Sequence, residues 1–415
     1  MGKIVGLRWW TIGLIMLGAT LNFLTRSTLS VAAPTVLADL HIGEREYSWV
    51  LLAFQLAIMA QPAVGFFLDT VGLRIGMAIC AAAWSVVCMA HGLAHNWQTL
   101  AGLRGLLGFA EGSANPAGMK VVSEWFPARE RGIAGGIYNI GASVGSMLAP
   151  PLVAWAIIAY DWQMAFVITG ALGLAWVVLW LLLYRPREDH KALTGSERAY
   201  IEAGQEPHLT AQLARPSLLS LLQQRNFWGI ALPRFLADPT WAALTFWLPL
   251  YLVKAHHFDL RHIALFAWLP FLAADLGSLF GPLVVLALQK FGVGLIDARR
   301  GAFTLGAAMM TGIAFTGFVA DPYAAIALLC LGAFAHQTLS VTVITMATDL
   351  FRRGEVATVA GMAGTFGNTG ALIFNTMVGG LVALVGYSPF FVALAVLDIV
   401  GAVVLWSFVR ERHVR

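Results

Sequence analysis

Between two long apolar segments the chain reads Gly65-Phe-Phe-Leu-Asp69-Thr-Val-Gly72-Leu-Arg74. The glycines permit a tight turn and a close approach of the flanking helices. Asp69 can cap or pair at the end of the first helix, and Arg74 can donate to helix-end carbonyls or to an acid elsewhere. An ordinary charged turn could have the same residues, so the segments around it decide its meaning.

Those segments make most of the chain apolar. Of its 415 residues, 59% are hydrophobic and only 12% are charged, whereas a soluble domain has about 25% charged residues. A helix that crosses a bilayer needs about 20 mostly apolar residues, and twelve segments reach that length. They are residues 9–32, 48–68, 75–94, 99–120, 132–158, 164–184, 227–253, 262–288, 300–319, 322–346, 356–382 and 387–409. We therefore expect an all-α membrane protein with twelve transmembrane helices.

Lysine and arginine are distributed unevenly between alternate loops. Of 26 such residues, twenty fall in loops on one side and three lie inside apolar segments; the other side has only Arg45, Lys254 and Arg261. Cytoplasmic loops carry this excess in membrane proteins, so we expect both termini in the cytoplasm. Since the basic residues form no single polar face, we expect no nucleic-acid partner.

One long polar segment, residues 186–226, interrupts the apolar pattern. It divides the chain into residues 1–185 and residues 227–415, each with six predicted spans. We expect two six-helix bundles joined by a cytoplasmic linker.

With twelve spans around it, the stretch from Gly65 to Arg74 resembles the cytoplasmic loop signature of the major facilitator superfamily, G-x-x-x-D-x-x-G-x-R. The resemblance implies two bundles that rock around a site near the membrane midplane. It also implies that Asp69 and Arg74 act in a latch that holds one conformation closed.

Further motifs narrow the resemblance to the anion:cation symporter family, and within it to bacterial hexuronate transporters. These motifs are Gly6-Leu-Arg-Trp, Ser123-Glu-Trp-Phe-Pro-Ala-Arg-Glu-Arg131, Trp162-Gln-Met-Ala-Phe166, Pro233-Arg-Phe-Leu-Ala-Asp-Pro239, Trp247-Leu-Pro249, Phe334-Ala-His-Gln337 and Thr348-Asp349. The resemblance implies uptake of galacturonate and glucuronate with protons across a bacterial inner membrane. It also implies that spans 1, 4, 7 and 10 line a central cavity.

Three arginines, Arg26, Arg104 and Arg234, lie inside the apolar segments, in spans 1, 4 and 7. A guanidinium in hydrocarbon costs about 2.5–3.5 kcal/mol on insertion scales and persists only beside a partner, a hydrated cavity or an anion. Glu111 follows Arg104 on the same helix face, roughly 10 Å along the axis. Buried cations with a nearby carboxylate indicate a proton-linked carrier of a negatively charged solute.

We assign the substrate carboxylate to Arg26, whose planar guanidinium can form two parallel hydrogen bonds, with Asn22 one turn before it; a purely structural arginine is the alternative. By resemblance, Glu111 aligns with the family's proton-binding glutamate, the alternative being a permanently neutral or paired acid. Arg104 can hold Glu111 in place or offer substrate a second charge. Family members often have an aspartate where this chain has Thr25, so a single coupled proton is the simpler expectation.

Arg234 and Asp238 are four residues apart in the seventh span and can neutralise each other along the helix. We favour a structural or gating pair over direct contact with substrate. Pro233, Pro239 and Pro249 predict a bend in this span.

Polar side chains in the fifth, tenth and eleventh spans are candidates for hydrogen bonds to sugar hydroxyls. They are Tyr138, Asn139, His336, Gln337, Ser340 and Asn368. A histidine in a bundle is more often a packing group, and Asn368 is the stronger candidate by resemblance. Asp398, an acid in the peripheral twelfth span, is expected to be a packing partner.

The sequence contains no nucleotide-binding loop, metal-ligand spacing or catalytic triad, so we expect no enzyme activity and no cofactor, with H+ as coupling ion. The expected partners are a small anionic sugar acid, protons and the lipid bilayer, and we expect a monomer, as is the family habit. A rival function is anion exchange, of sugar phosphates or of another carboxylate such as an aldonate. It stays open because Arg26 and Arg234 occupy equivalent spans of the two halves.

Overall fold

The computed structural model of the chain describes residues 3–205, 218–257, 266 and 268–410. In these ranges every regular element is helical, apart from one isolated parallel bridge between Ile4 and Leu193. The all-α prediction is therefore confirmed. The predicted linker residues 206–217, and Arg261 on the weakly basic side, lie outside the described residues.

Residues 3–205 form nine α-helices, joined in part by 3-10 turns. They are α1 (Leu7–Asp39), α2 (Glu44–Ile58), α3 (Gln61–Val71), α4 (Leu73–Ala90), α5 (Trp97–Glu111), α6 (Ala114–Trp125), α7 (Arg131–Ala159), α8 (Trp162–Leu183) and α9 (Gly195–Ala203).

The described residues from 218 onward form eight more α-helices. They are α10 (Leu218–Leu222), α11 (Arg225–Ala242), α12 (Leu248–His256), α13 (Leu269–Lys290), α14 (Leu295–Met310), α15 (Pro322–Leu350), α16 (Val356–Val385) and α17 (Ser388–Phe408). A π-helical turn, Ala243–Trp247, joins α11 to α12, and a 3-10 helix, Thr311–Phe318, extends α14.

Eight helical segments of the described chain are each long and apolar enough to cross a membrane, and α2 with α3, bent by 41°, makes a ninth. The other three predicted spans fall on α5 with α6, on α11 with α12, and on α16. Each of the twelve predicted spans thus corresponds to a helix or a broken helix, and the membrane fold is confirmed.

The fourth span is broken directly after Glu111. Helix α5 ends at Glu111 and α6 begins at Ala114. Pro116 falls in the first turn of α6, where a missing N–H and a fixed φ are tolerated, but it cannot continue the hydrogen bonds of α5. Gly112 adds local freedom. The break places the Glu111 carboxyl at a helix end, inside the membrane segment.

The seventh span contains two prolines and a π turn. Pro233 and Pro239 lie inside α11, and the turn Ala243–Trp247 follows it. Each proline removes one helical hydrogen bond, and π turns occur often at functional sites. The bend that the sequence predicts here stays a prediction, and these three features favour it.

Packing divides the described chain into two compact units. Unit 1 comprises residues 3–128, 137–205 and 351–365; unit 2 comprises residues 129–136, 218–257, 266, 268–350 and 366–410. The first turns of α7 therefore belong to unit 2, and the first turns of α16 belong to unit 1. The predicted division of the chain at residues 186–226 stays a prediction.

The segment after α8 is bound to the start of α1. Glu197 of α9 accepts hydrogen bonds from the backbone N–H groups of Leu7 (3.0 Å) and Arg8 (3.3 Å), and from the Arg8 guanidinium (2.7 Å). The Ile4 N–H donates to the Ala192 carbonyl at 2.9 Å. The first N–H groups of a helix have no intrahelical acceptor, so Glu197 caps α1 and places negative charge at its positive end.

Close packing of α7 on α1 in unit 1 depends on glycine. A Cβ on Gly145 would lie 2.2 Å from the Thr20 carbonyl oxygen, and one on Gly141 would lie 2.6 Å from the Met16 carbonyl oxygen. Small residues four apart allow this approach in membranes. By contrast, a Cβ on Gly102, an exposed position of α5, would meet nothing within 4 Å.

We expect Gly145→Ala to destabilise the protein, because the added methyl group would collide with backbone that cannot move aside. Overpacking of this kind costs about 1–3 kcal/mol. The measurement is the melting temperature of purified protein in detergent. Gly102→Ala is the matched control and should leave it unchanged or slightly raised; an equal response of the two variants would contradict the close α1–α7 contact.

Candidate functional site

An ion pair between α1 and α5 forms the centre of the candidate site in unit 1. Arg26 Nε donates to Glu111 Oε2 at 3.1 Å, and Thr25 Oγ1 donates to Glu111 Oε1 at 2.8 Å. The Glu111 side chain is 0% exposed, whereas that of Arg26 is 27% exposed. The carboxyl thus lies behind the guanidinium, and only the guanidinium has an accessible side.

Helix geometry places three groups of α1 around this pair. Asn22 and Arg26 are one turn apart, and Arg26 Nη2 donates to Asn22 Oδ1 at 3.3 Å. Thr25 Oγ1 also lies 2.8 Å from the Asn22 carbonyl oxygen. The Asn22 side chain is fully buried, and its Nδ2 has no hydrogen-bond partner among the described residues. That amide group is a free donor beside the ion pair.

Arg104 lies next to this pair and does not bond to Glu111 in any contact that the structure gives. Its Nη2 donates to the Arg26 carbonyl oxygen at 3.1 Å, and its guanidinium lies 5.0 Å from the centre of the Phe54 ring. Cations are attracted to aromatic faces at this distance. Its Nε and Nη1 have no partner within the described part of the chain. The residue that holds Glu111 is therefore Arg26, with Arg104 behind its backbone.

Thr25 was missed as a functional residue by the sequence reasoning. It was noted only as a position where an acid is absent, yet its hydroxyl binds Glu111. The partner lies 86 positions away on another helix, so no local spacing could have indicated the contact.

Of the other candidates in unit 1, Tyr138 donates its hydroxyl to the Ala114 carbonyl oxygen at 2.7 Å. This bond links α7 to the start of α6, next to the break in the fourth span. Asn139, the neighbouring candidate, is half-buried.

In unit 2, Arg234 Nη2 and Asp238 Oδ2 lie 3.1 Å apart, with side chains 11% and 19% exposed. His336 is buried and stacks on Trp241, with ring centroids 6.2 Å apart. The remaining hydroxyl-binding candidates of this unit are Gln337 and Ser340, both buried on α15, and Asn368, half-buried on α16.

The connection between α3 and α4, flanked by Asp69 and Arg74, is held by several hydrogen bonds. Asp69 binds the Lys120 ammonium and accepts from the Thr358 backbone N–H at 2.8 Å and hydroxyl at 2.7 Å, all within unit 1. Arg74 Nη2 donates to the Leu181 carbonyl oxygen at 2.7 Å, near the end of α8. Asp69 therefore neutralises a lysine and an N-terminal helix end, and Arg74 binds a C-terminal helix end.

A buried charge cluster in unit 2 was not predicted. Asp349, at the end of α15, accepts from Arg131 Nη1 at 3.1 Å and from Arg299 Nε at 2.9 Å. Both arginine side chains are 1% exposed and the Asp349 side chain is 0% exposed. The sequence reading counted both arginines as loop residues, because each lies outside the apolar segments and its partner is distant in the chain.

Comparison with known proteins identifies a family and relatives of this chain. Residues 15–374 match the Major Facilitator Superfamily. The chain is 46% identical over 415 aligned residues to the hexuronate transporter of Escherichia coli K12, covering 99% of this chain and 96% of that protein. It is 47% identical over 330 residues to the galacturonate transporter of Dickeya chrysanthemi, covering 79% and 96% of the two chains.

A solved structure supports the same fold. The human organic anion transporter MFSD10 superposes with a TM-score of 0.71 over 95% of this chain and 98% of its own. At 14% identity this likeness concerns the fold alone.

We expect Asp349→Asn to lower stability strongly, because two buried guanidinium groups would lose their anion. Removing one partner of a buried ion pair costs about 3–5 kcal/mol. Thermal unfolding of the purified protein measures the effect. Asp297→Asn is the matched control: Asp297 is 54% exposed and pairs with Arg300, and such surface pairs contribute about 0–1 kcal/mol. Similar losses in both variants would contradict the cluster.

Proposed function

Because the chain belongs to the Major Facilitator Superfamily, we propose that it imports hexuronates such as galacturonate and glucuronate together with protons, by alternating access. The names of the relatives at 46% and 47% identity support the substrate class. The observation that most directly supports proton coupling is the ion pair between the partly exposed Arg26 and the fully buried Glu111.

One guanidinium, that of Arg26, has two possible carboxylate partners: Glu111 and the sugar acid. Arg26 is the partly exposed member of the pair, so a sugar acid reaches Arg26 before it reaches Glu111. A planar guanidinium binds a carboxylate best through two parallel hydrogen bonds. While Glu111 is ionised it occupies the Arg26 Nε donor, and a second carboxylate there would face a like charge.

Protonation of Glu111 removes this competition. A neutral carboxyl binds the guanidinium weakly, so the Arg26 donors become free for the substrate, and the Thr25 hydroxyl still has an acceptor in Glu111. Substrate and proton then favour each other's binding, and this linkage is reciprocal. On the side where protons are scarce, Glu111 loses its proton, recovers Arg26 and displaces the sugar acid.

Neighbouring groups give the site its preference for a hydroxylated anion. The unpartnered Asn22 amide lies beside Arg26 and suits a sugar hydroxyl. Arg104 adds a second cation one layer back. Tyr138, Asn139, His336, Gln337, Ser340 and Asn368 remain candidate hydroxyl ligands in this proposal.

The rival function, exchange of sugar phosphates, requires cations that are free to take a doubly charged group. Arg26 and Arg234, the equivalent arginines of the two halves, are each paired with an acid of their own unit, Glu111 and Asp238. Each site therefore suits a singly charged carboxylate more than a phosphate. An aldonate carries the same single charge, and a substrate panel has to distinguish it.

The remaining parts of the proposal follow from the family and the loop charges. We propose a bacterial inner-membrane location with both termini in the cytoplasm, transport without covalent chemistry or a cofactor, H+ as coupling ion, and a monomeric protein. The excess of basic residues in alternate loops supports the orientation.

Glu111→Gln is the decisive variant for coupling. Its side chain keeps the shape of a protonated glutamate, so we expect exchange of galacturonate to persist. The accumulation ratio of galacturonate that a pH difference drives should fall about tenfold for each unit of that difference, because one coupled proton contributes a factor of ten per unit. The assay is galacturonate uptake and counterflow in proteoliposomes of purified protein.

Empty vesicles separate symport from exchange in the wild type. Uptake into vesicles without internal sugar acid, accompanied by alkalinisation outside, supports symport. If uptake absolutely required an internal anion, the protein would be an exchanger and the proposed symport would be wrong. If Glu111→Gln accumulated galacturonate as the wild type does, Glu111 would not be the proton site.

Arg26→Lys tests the substrate carboxylate site. Lysine keeps the charge but loses the forked donors, and one hydrogen bond to a charged group contributes about 1.5–3 kcal/mol. We expect the KM for galacturonate to rise about 10- to 150-fold. Arg8→Lys, in the arginine bound to Glu197 at the start of α1, is the matched control and should leave KM unchanged. An unchanged KM in Arg26→Lys would remove Arg26 from the substrate site.

A further inference from the structure

A second acid inside the membrane segments has no role in the proposed cycle. Asp398, in the middle of α17, is 0% exposed, and neither of its carboxyl oxygens has a hydrogen-bond partner among the described residues. An ion buried without partners is strongly unfavourable. From the sequence, Asp398 is expected to be a packing partner, but an apolar side chain would pack better at a buried position. The side chain is therefore held here as a neutral, protonated acid.

The position of Asp398 follows from how α17 packs against α11. A Cβ on Gly229 would lie 3.3 Å from Phe408 Cβ, and a Cβ on Gly401 would lie 3.7 Å from Pro233 Cα. These contacts set an antiparallel register between the two helices. With about 1.5 Å of rise per residue, Asp398 lies level with residues 236–239 of α11.

The facing part of α11 is polar and incompletely bonded. Asp238, which pairs with Arg234, belongs to this level of α11. Thr240, one turn from this level, is 0% exposed, and its hydroxyl has no partner within the described chain. Two acids, one arginine and a free hydroxyl thus lie at about the same level where α11 packs against α17.

Other charges near α17 are engaged elsewhere. Arg299 and Arg300 lie at the start of α14; Arg299 binds Asp349, and Arg300 binds Asp297 and the Val409 carbonyl oxygen. Val409 is eleven residues from Asp398, roughly 16 Å along the helix. The 3-10 helix Thr311–Phe318 has no titratable side chain. Of the described residues named on α11 and α14, Arg234 and Asp238 therefore remain to act with Asp398.

We propose that Asp398 is a second proton-binding site of the transport cycle, with Asp238 as the group that passes its proton to and from water. The proposal rests on the proposed symport. In the cluster, the charges of Arg234 and Asp238 cancel, and Asp398 is neutral with one proton bound.

A path for that proton follows from the exposure of the groups. The Asp238 side chain is 19% exposed, whereas Asp398 is 0% exposed. Neither Asp398 oxygen bonds to Asp238 in this conformation, so the transfer requires a movement of α11 that brings the two carboxyls into contact. The proton then moves from the Asp398 carboxyl to the Asp238 carboxylate and from there to water; loading reverses these steps. The prolines of α11 and the π turn Ala243–Trp247 let this helix bend, so the access of Asp238 to water can change while Asp398 keeps its place.

The consequence is a change in transported charge. Galacturonate carries one negative charge, so a single proton taken up through Glu111 makes transport electrically neutral. A second proton through Asp398 adds one positive charge per cycle. It also squares the ratio of internal to external galacturonate that a given pH difference can maintain.

The test uses purified full-length protein in proteoliposomes, with the membrane potential held at zero and one unit of pH difference, inside alkaline. Two protons give a galacturonate accumulation of about 100-fold and one proton about 10-fold, since each proton contributes a factor of ten. We expect about 100-fold for the wild type and about 10-fold for Asp398→Asn, with loss of the galacturonate-dependent current. Asp297→Asn, the exposed-acid control, should behave as the wild type.

Two results would overturn the proposal: a wild-type accumulation near 10-fold without current, or an Asp398→Asn variant that keeps 100-fold accumulation. Asp398→Leu, a packing-compatible apolar replacement, supplies the same comparison if the asparagine variant does not fold. Absence of any proton-dependent galacturonate uptake in the wild type would instead refute the proposed symport, and so the two failures are distinguishable.

Discussion

The interaction on which this structure depends is the neutralisation of a guanidinium inside an apolar bundle. Arg26 and Glu111 satisfy each other at 3.1 Å, with the acid fully buried and the base partly exposed. Taking both charges out of water costs several kcal/mol per ion, and their attraction compensates only when geometry is good. Such a pair is bound well enough to persist, yet a competing anion or a proton can replace either partner. Transport coupled to protons requires this near balance, and a strongly favourable pair would prevent it.

The fold positions the Arg26–Glu111 pair by bringing helices α1, α5 and α7 close together. Gly141 and Gly145 let α7 approach the backbone of α1, and α5 ends at Glu111, where a proline-containing turn starts α6. The acid is thus carried at a helix end, where the backbone is less regular and neighbouring groups have room to rearrange. Unit 2 also contains an arginine–acid pair, but here both residues, Arg234 and Asp238, lie on one helix. Prolines and a π turn interrupt the regular hydrogen bonds of this span.

Features that depend on composition or local spacing could be predicted from the sequence. Twelve apolar segments predicted the helices, and the four-residue spacing of Arg234 and Asp238 suggested the contact that the structure contains. Contacts between distant positions could not be predicted. The Thr25 hydroxyl on Glu111 and the two arginines on Asp349 join residues 50 to 218 positions apart, and hydropathy has no information on which helices touch. The resemblance to a family suggested a proton-binding role for Glu111, which stays a prediction, but it could not show that Arg26, and not Arg104, is its direct partner.

The cap on α1 has a consequence for biosynthesis. Glu197 accepts from the first backbone N–H groups of α1 across 190 positions of sequence. During translation the first helix is made long before its capping acid, so its amino-terminal turn lacks this cap until α9 emerges from the ribosome. Docking of α9 onto α1 then joins the earliest and latest parts of the first half of the chain.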